Sequence, residues 1–320
     1  MLFPEEMIIS EIFLLKAECK QAFCHVFGRS IRYNNHDSAE FLKNIAEMKG
    51  VIIMKKIISI ILTAALLVSL VTAAYAESAV GYTPTDVMEW YLADQDNAAD
   101  IYDQAANAAS RVVENLAYVA SLNANDEQLA ILTDALNGVD ELRGNMDVDS
   151  KQRLGVYCAY IMRTLRVLCD ESDPTGVYAD TVQNIIDEFN AYDENVDTAD
   201  LQTVYALFAS VKLATVVTEE CCTSQDQIDQ IEAGFAELDA ENEAAANVFD
   251  QMVVGSKWLR KMLGAFAKLN NANCIDLVEQ ELEAREVIVA EMTDPMEITN
   301  QYLASSMYAL GIFTGDYGLE

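Results

Sequence analysis

The amino-acid sequence predicts an all-α protein, built either as a multi-helix bundle or as a short α-solenoid of stacked helical hairpins. No stretch of the 320 residues shows the sustained alternation of apolar and polar side chains that indicates a β-strand. Helix-entry signals recur instead, and apolar residues repeat at helical spacing inside blocks of one charge sign. These features together predict about eight or nine helices after residue 77.

The helix-entry signals are prolines and capping side chains. Three prolines follow a residue that can cap a helix, in Thr83-Pro84, Asp173-Pro174 and Asp294-Pro295. Proline suits the first helical position because it has no N–H to leave unpaired there. Asn125–Gln128 and Thr223–Asp226 have the capping-box pattern, in which two side chains bond reciprocally to backbone N–H groups.

The first helix is predicted to run unbroken from Pro84 to about Ser121. It carries Trp90, Tyr91 and Tyr102 in its early turns and many alanines, which let helices pack closely. Its aromatic side chains either contact a ligand or cover the end of the core. The sequence favours the second interpretation.

Charge is segregated after residue 150. Residues 151–169 and 251–275 carry only basic charges, whereas residues 170–200 and 219–250 carry only acidic ones. Apolar residues recur at relative positions 0, 3, 7 and 10 of three segments: Leu129, Leu132, Leu136, Val139; Val182, Ile185, Phe189, Tyr192; and Ile228, Ile231, Phe235, Leu238. This spacing is the stripe of an amphipathic helix.

These patterns predict helical hairpins that repeat about every 50 residues, near the dimensions of known helical repeats. One helix of each hairpin is apolar nearly all round and is expected in the core, at 151–169, 201–218, 251–270 and 301–312. The other is amphipathic with an acidic outer face. A compact bundle would give its buried helices the same composition, so solenoid and bundle remain open.

Residues 54–76 have the pattern of a secretory signal peptide. Lys55 and Lys56 follow Met54, an apolar run extends from Ile57 to Val71, and Ala74-Tyr75-Ala76 suits signal peptidase. We therefore expect cleavage before Glu77, which leaves residues 77–320 as a single exported domain. We also expect translation to begin at Met54, with residues 1–53 as a non-native extension. The rival interpretation is a signal-anchor with 1–53 as a cytoplasmic tail.

Residues 77–320 carry 45 Asp and Glu against 12 Lys and Arg, a net charge of −33. Such a surface disfavours nucleic acid, whose phosphates need a basic face. Both histidines, His25 and His36, precede the expected cleavage site. Ser-His-Asp and Cys-His catalysis are therefore excluded from the exported part. The sequence indicates no catalytic residue, no cofactor and no metal. Asp193–Val204, the nearest approach to a calcium loop, lacks the required glycine and final glutamate.

Five cysteines lie in the expected exported part: Cys158, Cys169, Cys221, Cys222 and Cys274. Buried, unpaired thiols are the favoured interpretation, and Cys158 and Cys169 lie among Tyr, Leu and Val in the sequence. A disulfide from Cys274 to Cys221 or Cys222 is the alternative.

One helix stands out as basic against the acidic background. Its candidate partner-binding residues are Lys257, Trp258, Arg260, Lys261 and Lys268. The functional interpretation is a stripe that recognises a small anionic ligand or a protein, with the Trp258 ring contributing. The structural interpretation is that these bases pair with acids on neighbouring helices.

The sequence as a whole predicts a secreted or periplasmic acidic protein that acts as a binding or scaffold module, without stable membrane insertion after cleavage. The alternative is a carboxylate-dependent, metal-free hydrolase, which would need two carboxylates facing each other across a substrate.

Overall fold

Ten α-helices and one short 3-10 helix make up the part of the chain that the computed structural model describes, residues 79–145, 147–172, 176, 178–193 and 198–315. The helices are α1 Pro84–Asn97, α2 Ile101–Ser121, α3 Asp126–Gly144, α4 Ser150–Ser172, α5 Ala179–Asp193, α6 Ala199–Glu220, α7 Gln225–Ala244, α8 Val248–Asn270, α9 Ile275–Val289 and α10 Pro295–Phe313. Within these ranges there is no strand, and the all-α prediction is confirmed.

The helices begin where capping side chains occur. Thr83 and Asn125 each form a capping box with the residue three positions later, and Asp294 caps α10 just before Pro295. The box before α7 uses Ser224 with Gln227, one residue later than the sequence pattern indicated. Asp173-Pro174 lies outside the described residues.

The predicted long helix from Pro84 to Ser121 is wrong: it is two helices, and the chain turns between Asn97 and Ile101. Asp100 accepts a hydrogen bond from the Asp103 N–H at 2.8 Å, and the Asp103 carboxylate accepts one from Ala99 N–H at 3.0 Å. The first bond satisfies an N–H group in the first turn of a new helix, and the second fixes the residue before its N-cap. The break brings the described helices to ten and lets α1 fold back against the outside of α2.

The even-numbered helices form a closed ring, because α2 packs on α4, α4 on α6, α6 on α8, α8 on α10, and α10 on α2. The ring closes where Asn115 Nδ2 of α2 donates to the Met307 carbonyl of α10 at 3.0 Å. The structure therefore joins the two architectures left open by the sequence: stacked hairpins whose last inner helix meets the first.

The five inner helices run in the same direction. Their starts meet each other, as in the contact of Ser150 Oγ with Asp100 at 3.3 Å. Their ends also meet, as where Thr218 Oγ1 donates to the Met262 carbonyl at 3.3 Å and where the Phe266 and Phe313 rings lie 5.4 Å apart. This follows from the connections, since one outer helix returns the chain between each pair of inner helices.

The outer helices bury only a narrow stripe. Buried residues of α3 are Leu132, Ala135 and Val139, and those of α7 are Ile231 and Leu238. The inner helices are buried on most of their surface; α6, for example, buries side chains in every turn from Thr203 to Thr218. The apolar side chains of the inner helices and of these stripes form one continuous core, and their burial stabilises the fold.

Helix α6 is, among the described residues, the one helix long and apolar enough to cross a membrane by length and composition. Within this fold it is an inner helix of the ring, and 72% of its most apolar stretch is buried. A buried core helix has the same composition as a membrane span.

Candidate functional site

Grooves lie between neighbouring outer helices, each with an inner helix as its floor. The groove over α2, walled by α1 and α3, widens into a pocket of about 650 Å³ that we call the Trp90 pocket. Small-ligand sites usually measure about 300–1,000 Å³. The charged and amide groups that line it are Asp94 of α1, Arg111 and Glu114 of α2, and Asn137, Asp140 and Arg143 of α3.

The segment before α1 closes one side of this pocket. Gly81 has φ +78°, a left-handed conformation that residues with a Cβ rarely adopt. The turn brings Tyr82 over α2, where its hydroxyl donates to the Glu114 carbonyl at 3.0 Å. Burial and the nearby Glu114 charge raise the pKa of Tyr82, so this phenol keeps its proton and remains a donor.

Trp90 stands at the rim of the pocket with 39% of its surface exposed. The Tyr82 ring meets it edge-on at 5.6 Å between centroids, and the Arg111 guanidinium lies 5.3 Å from the indole centroid. Both contacts hold the indole in place. A large, oriented and partly exposed aromatic ring is a common anchor for ligands.

Beneath the indole, arginines and carboxylates pair across all three helices. Buried Glu114 accepts from Arg111 Nη1 at 2.6 Å and from Arg143 Nη2 at 2.8 Å. Arg111 also bonds to Asp94, and Arg143 Nη1 lies 3.1 Å from Asp140. Each of these charges therefore has an opposite neighbour, which offsets the cost of burying it.

This network suits binding better than hydrolysis. A carboxylate-dependent hydrolase needs two carboxylates that face each other across the substrate. All three carboxylates of the Trp90 pocket bond to an arginine. Burial raises the pKa of Asp170 and of Glu219, but neither carboxyl group lines this pocket.

The groove over α8 holds the basic stripe singled out by the sequence. Lys257 Nζ lies 2.7 Å from Glu241 of α7, and Trp258 Nε1 donates to the same carboxylate at 3.1 Å. Trp258 is 3% exposed. On the opposite side, Arg260 bonds to Glu286 of α9 and donates to the Leu282 carbonyl at 3.1 Å.

The other two stripe residues also have neighbours within the chain. Lys268 Nζ lies 3.3 Å from Glu279 of α9, and Lys261 Nζ lies 4.1 Å from the centroid of the Trp258 ring. Burial and the adjacent Lys257 charge lower the pKa of Lys261. Three of the four bases therefore pair with acids on outer helices, whereas Lys261 contacts Trp258 of its own helix. Recognition of a partner by this stripe stays a prediction.

A third groove lies over α6, between α5 and α7, and encloses about 300 Å³. Tyr192 and Tyr205 stack there with centroids 4.3 Å apart and ring planes 2° from parallel. The ion pair of Lys212 with Glu188, at 2.6 Å, spans its rim. This groove is smaller than the Trp90 pocket, and its two tyrosine rings already stack on each other.

The five cysteines that follow the predicted signal peptide are thiols, and none of them forms a disulfide. Burial raises the pKa of Cys221 to about 12 and that of Cys274 to about 11. These two thiols are therefore protonated at neutral pH and are poor nucleophiles. Among the described residues, no group of three or more His, Cys, Asp and Glu side chains could hold a metal ion.

Two sequence predictions fall on positions outside the described residues. One is the signal peptide at 54–76 with its cleavage site before Glu77, and the other is the non-native extension at 1–53. Both stay predictions.

Comparison of the chain with protein-family models, with curated proteins and with solved structures finds no match. Function must therefore be argued from the grooves themselves.

Sequence reasoning named Trp90 but did not assemble its pocket. The available signal was the scarcity of bases, since Arg111 and Arg143 are the only Lys or Arg between residues 77 and 150. Two isolated arginines in an acidic segment indicate specific partners. Both bond to Glu114, but the position of Trp90 over this pair depends on the turn after Asn97, which the sequence did not predict.

Proposed function

We propose that this chain is an exported binding protein that takes a small ligand into the Trp90 pocket. The observation that carries the proposal is a partly exposed indole held over a network in which each arginine and each carboxylate has an opposite charge as its neighbour. Paired charges have fixed positions, so they present donors and acceptors to a ligand without reorganising. The predicted signal peptide supports export, and N-terminal sequencing of secreted protein should give Glu77 as its first residue.

Two tryptophans allow a direct test. In Trp258→Phe, the fluorescence of Trp90 alone reports on the pocket, and in Trp90→Phe the buried Trp258 serves as the control. Each variant would be titrated with a panel of neutral saccharides, aliphatic amines and small carboxylates.

The proposal expects a saturable change in Trp90 emission with at least one class, and no change in Trp258 emission. A ligand could instead bind both variants with equal affinity and change only the emission of Trp258. That result would place the binding site over α8 and contradict the proposal. The proposal would also be contradicted if neither tryptophan changed its emission with any ligand and calorimetry detected no heat of binding.

A further inference from the structure

The Trp90 pocket offers charge that is nearly balanced. Two guanidinium groups, from Arg111 and Arg143, face three carboxylates, from Asp94, Glu114 and Asp140. A ligand with a net charge would have to break one of these pairs or leave its own charge unpaired, and both are unfavourable in a partly buried site. The surrounding surface of net charge −33 further opposes anions.

The pairs leave hydrogen-bonding capacity toward the pocket. An ionised carboxylate has about four acceptor positions, and a guanidinium has five donors. Asp140 uses one oxygen on Arg143 and keeps 72% of its side chain exposed. Asn137 adds an amide, which both donates and accepts. The pocket therefore presents donors and acceptors side by side, and a hydroxyl group is the ligand group that bonds to both.

The exposed indole favours a ligand that also has an apolar face. Trp90 is 39% exposed, and its ring is oriented by Tyr82 and Arg111. A pyranose ring combines these properties: its C–H face stacks on an aromatic ring, and its edge carries hydroxyl groups. Planar aromatic ligands lack the hydroxyl edge, and linear polyols lack the face.

We infer that the ligand of the Trp90 pocket is a neutral saccharide. This inference rests on the proposed binding function and adds the chemical class. The sugar ring lies against Trp90, and its hydroxyls bond to Asp140, Asn137 and the outward side of the arginine–carboxylate pairs.

The test is titration of Trp258→Phe with neutral oligosaccharides of glucose, xylose, mannose and galactose, read by Trp90 fluorescence and by calorimetry. At least one neutral sugar should bind saturably. In the otherwise native chain, Trp90→Ala should weaken that binding, measured by calorimetry, by about tenfold, the equivalent of about 1.4 kcal/mol. Asn137→Ala should also weaken it. Tyr192→Ala, in the groove over α6, is the matched aromatic control and should bind like the native chain.

Salt provides a second readout. Since the sugar is neutral, its affinity should change by less than about twofold between about 0.05 and 0.5 M salt, whereas binding of a charged ligand would weaken as charges are screened. If only amines or carboxylates alter Trp90 emission, the saccharide inference is overturned while the binding function stands. If a neutral sugar binds but Trp90→Ala has no effect, the assigned site is wrong. If no probe binds, the inference and the proposed function both fail.

Discussion

The grooves over α2 and α8 contain the same ingredients, a tryptophan and basic side chains paired with acids, yet one is open and the other is filled. Trp90 belongs to an outer helix and is 39% exposed, whereas Trp258 belongs to an inner helix and is 3% exposed. Over α8, the bases reach outward to Glu241 on one side and Glu286 on the other. Over α2, the arginines pair beneath the indole with Glu114.

The difference shows that the exposure of each indole depends on whether its helix is an inner or an outer helix. The Trp258 indole, on an inner helix, packs against α7 and is part of the core. Gly234 on α7 makes this close packing feasible, because a Cβ there would lie 3.0 Å from Trp258 Cζ3. An indole on an outer helix stands at the groove rim and leaves the floor open.

Replacing each tryptophan with alanine should give the largest difference in stability between the two grooves. Trp258→Ala should lower the free energy of unfolding by about 3–5 kcal/mol, because it leaves a cavity in the core. Trp90→Ala should cost less than about 1 kcal/mol, as expected at a partly exposed site. Urea denaturation monitored by circular dichroism measures both. Equal losses would contradict the assignment of Trp258 to the core.

Removing one acid from each groove gives the next largest contrast. Arg260 has a side chain only 2% exposed, so Glu286→Ala leaves a buried cation with a carbonyl and the Tyr302 ring as its remaining neighbours. We expect a loss of about 3 kcal/mol. Asp140→Ala should cost less than about 0.5 kcal/mol because its side chain is 72% exposed. Denaturant midpoints that shift by the same amount would contradict this ranking.

Adding a Cβ at Gly234, where α7 lies close to the Trp258 ring, should lower stability by a smaller amount. Gly234→Ala forces the Trp258 ring to move, and we expect a net loss of about 1 kcal/mol after the helix preference of alanine is counted. Gly144→Ala is the control, because a Cβ there meets no atom within 4 Å. That variant should be neutral or slightly stabilised in thermal melts. A stabilised Gly234→Ala would mean that the groove over α8 is looser than described.

The pH dependence of Glu241 should give the smallest contrast. Burial alone would raise its pKa, but the hydrogen bonds from Lys257 and Trp258 and the charges of Lys257 and Lys261 together lower the pKa below 4.5. Its contribution to stability is therefore full above about pH 4.5 and is lost as pH falls through the lowered pKa. Glu241→Gln should show a shallower loss of stability in that acid range. Glu243→Gln, an exposed site on the same helix, should follow the native curve.

Much of the fold was predictable, since caps, apolar stripes and charge blocks are local. The capping signals at Thr83, Asn125 and Asp294 mark true helix starts, and the apolar segments became inner helices. Closure of the ring was not predictable, because the contact of Asn115 with Met307 joins residues 192 positions apart. A local sequence pattern cannot predict a contact between residues so far apart in the chain.

The candidate site was predictable only in part. The sequence emphasised Trp258 because bases surround it, and exposure cannot be read from neighbours in sequence. The Asp100–Asp103 cap that turns α1 back was present in the sequence, but an unbroken helical pattern across it concealed the break. Without that turn, Trp90 cannot meet Arg111 or stand over Glu114.

Acrylamide quenching of the two single-tryptophan variants measures directly whether the groove over α2 is open and the groove over α8 is filled. Trp258→Phe reports on Trp90 in the open groove, and Trp90→Phe reports on Trp258 in the filled one. We expect a quenching constant severalfold larger for Trp90 than for Trp258, in native buffer and without ligand. Equal constants, or stronger quenching of Trp258, would contradict this expectation.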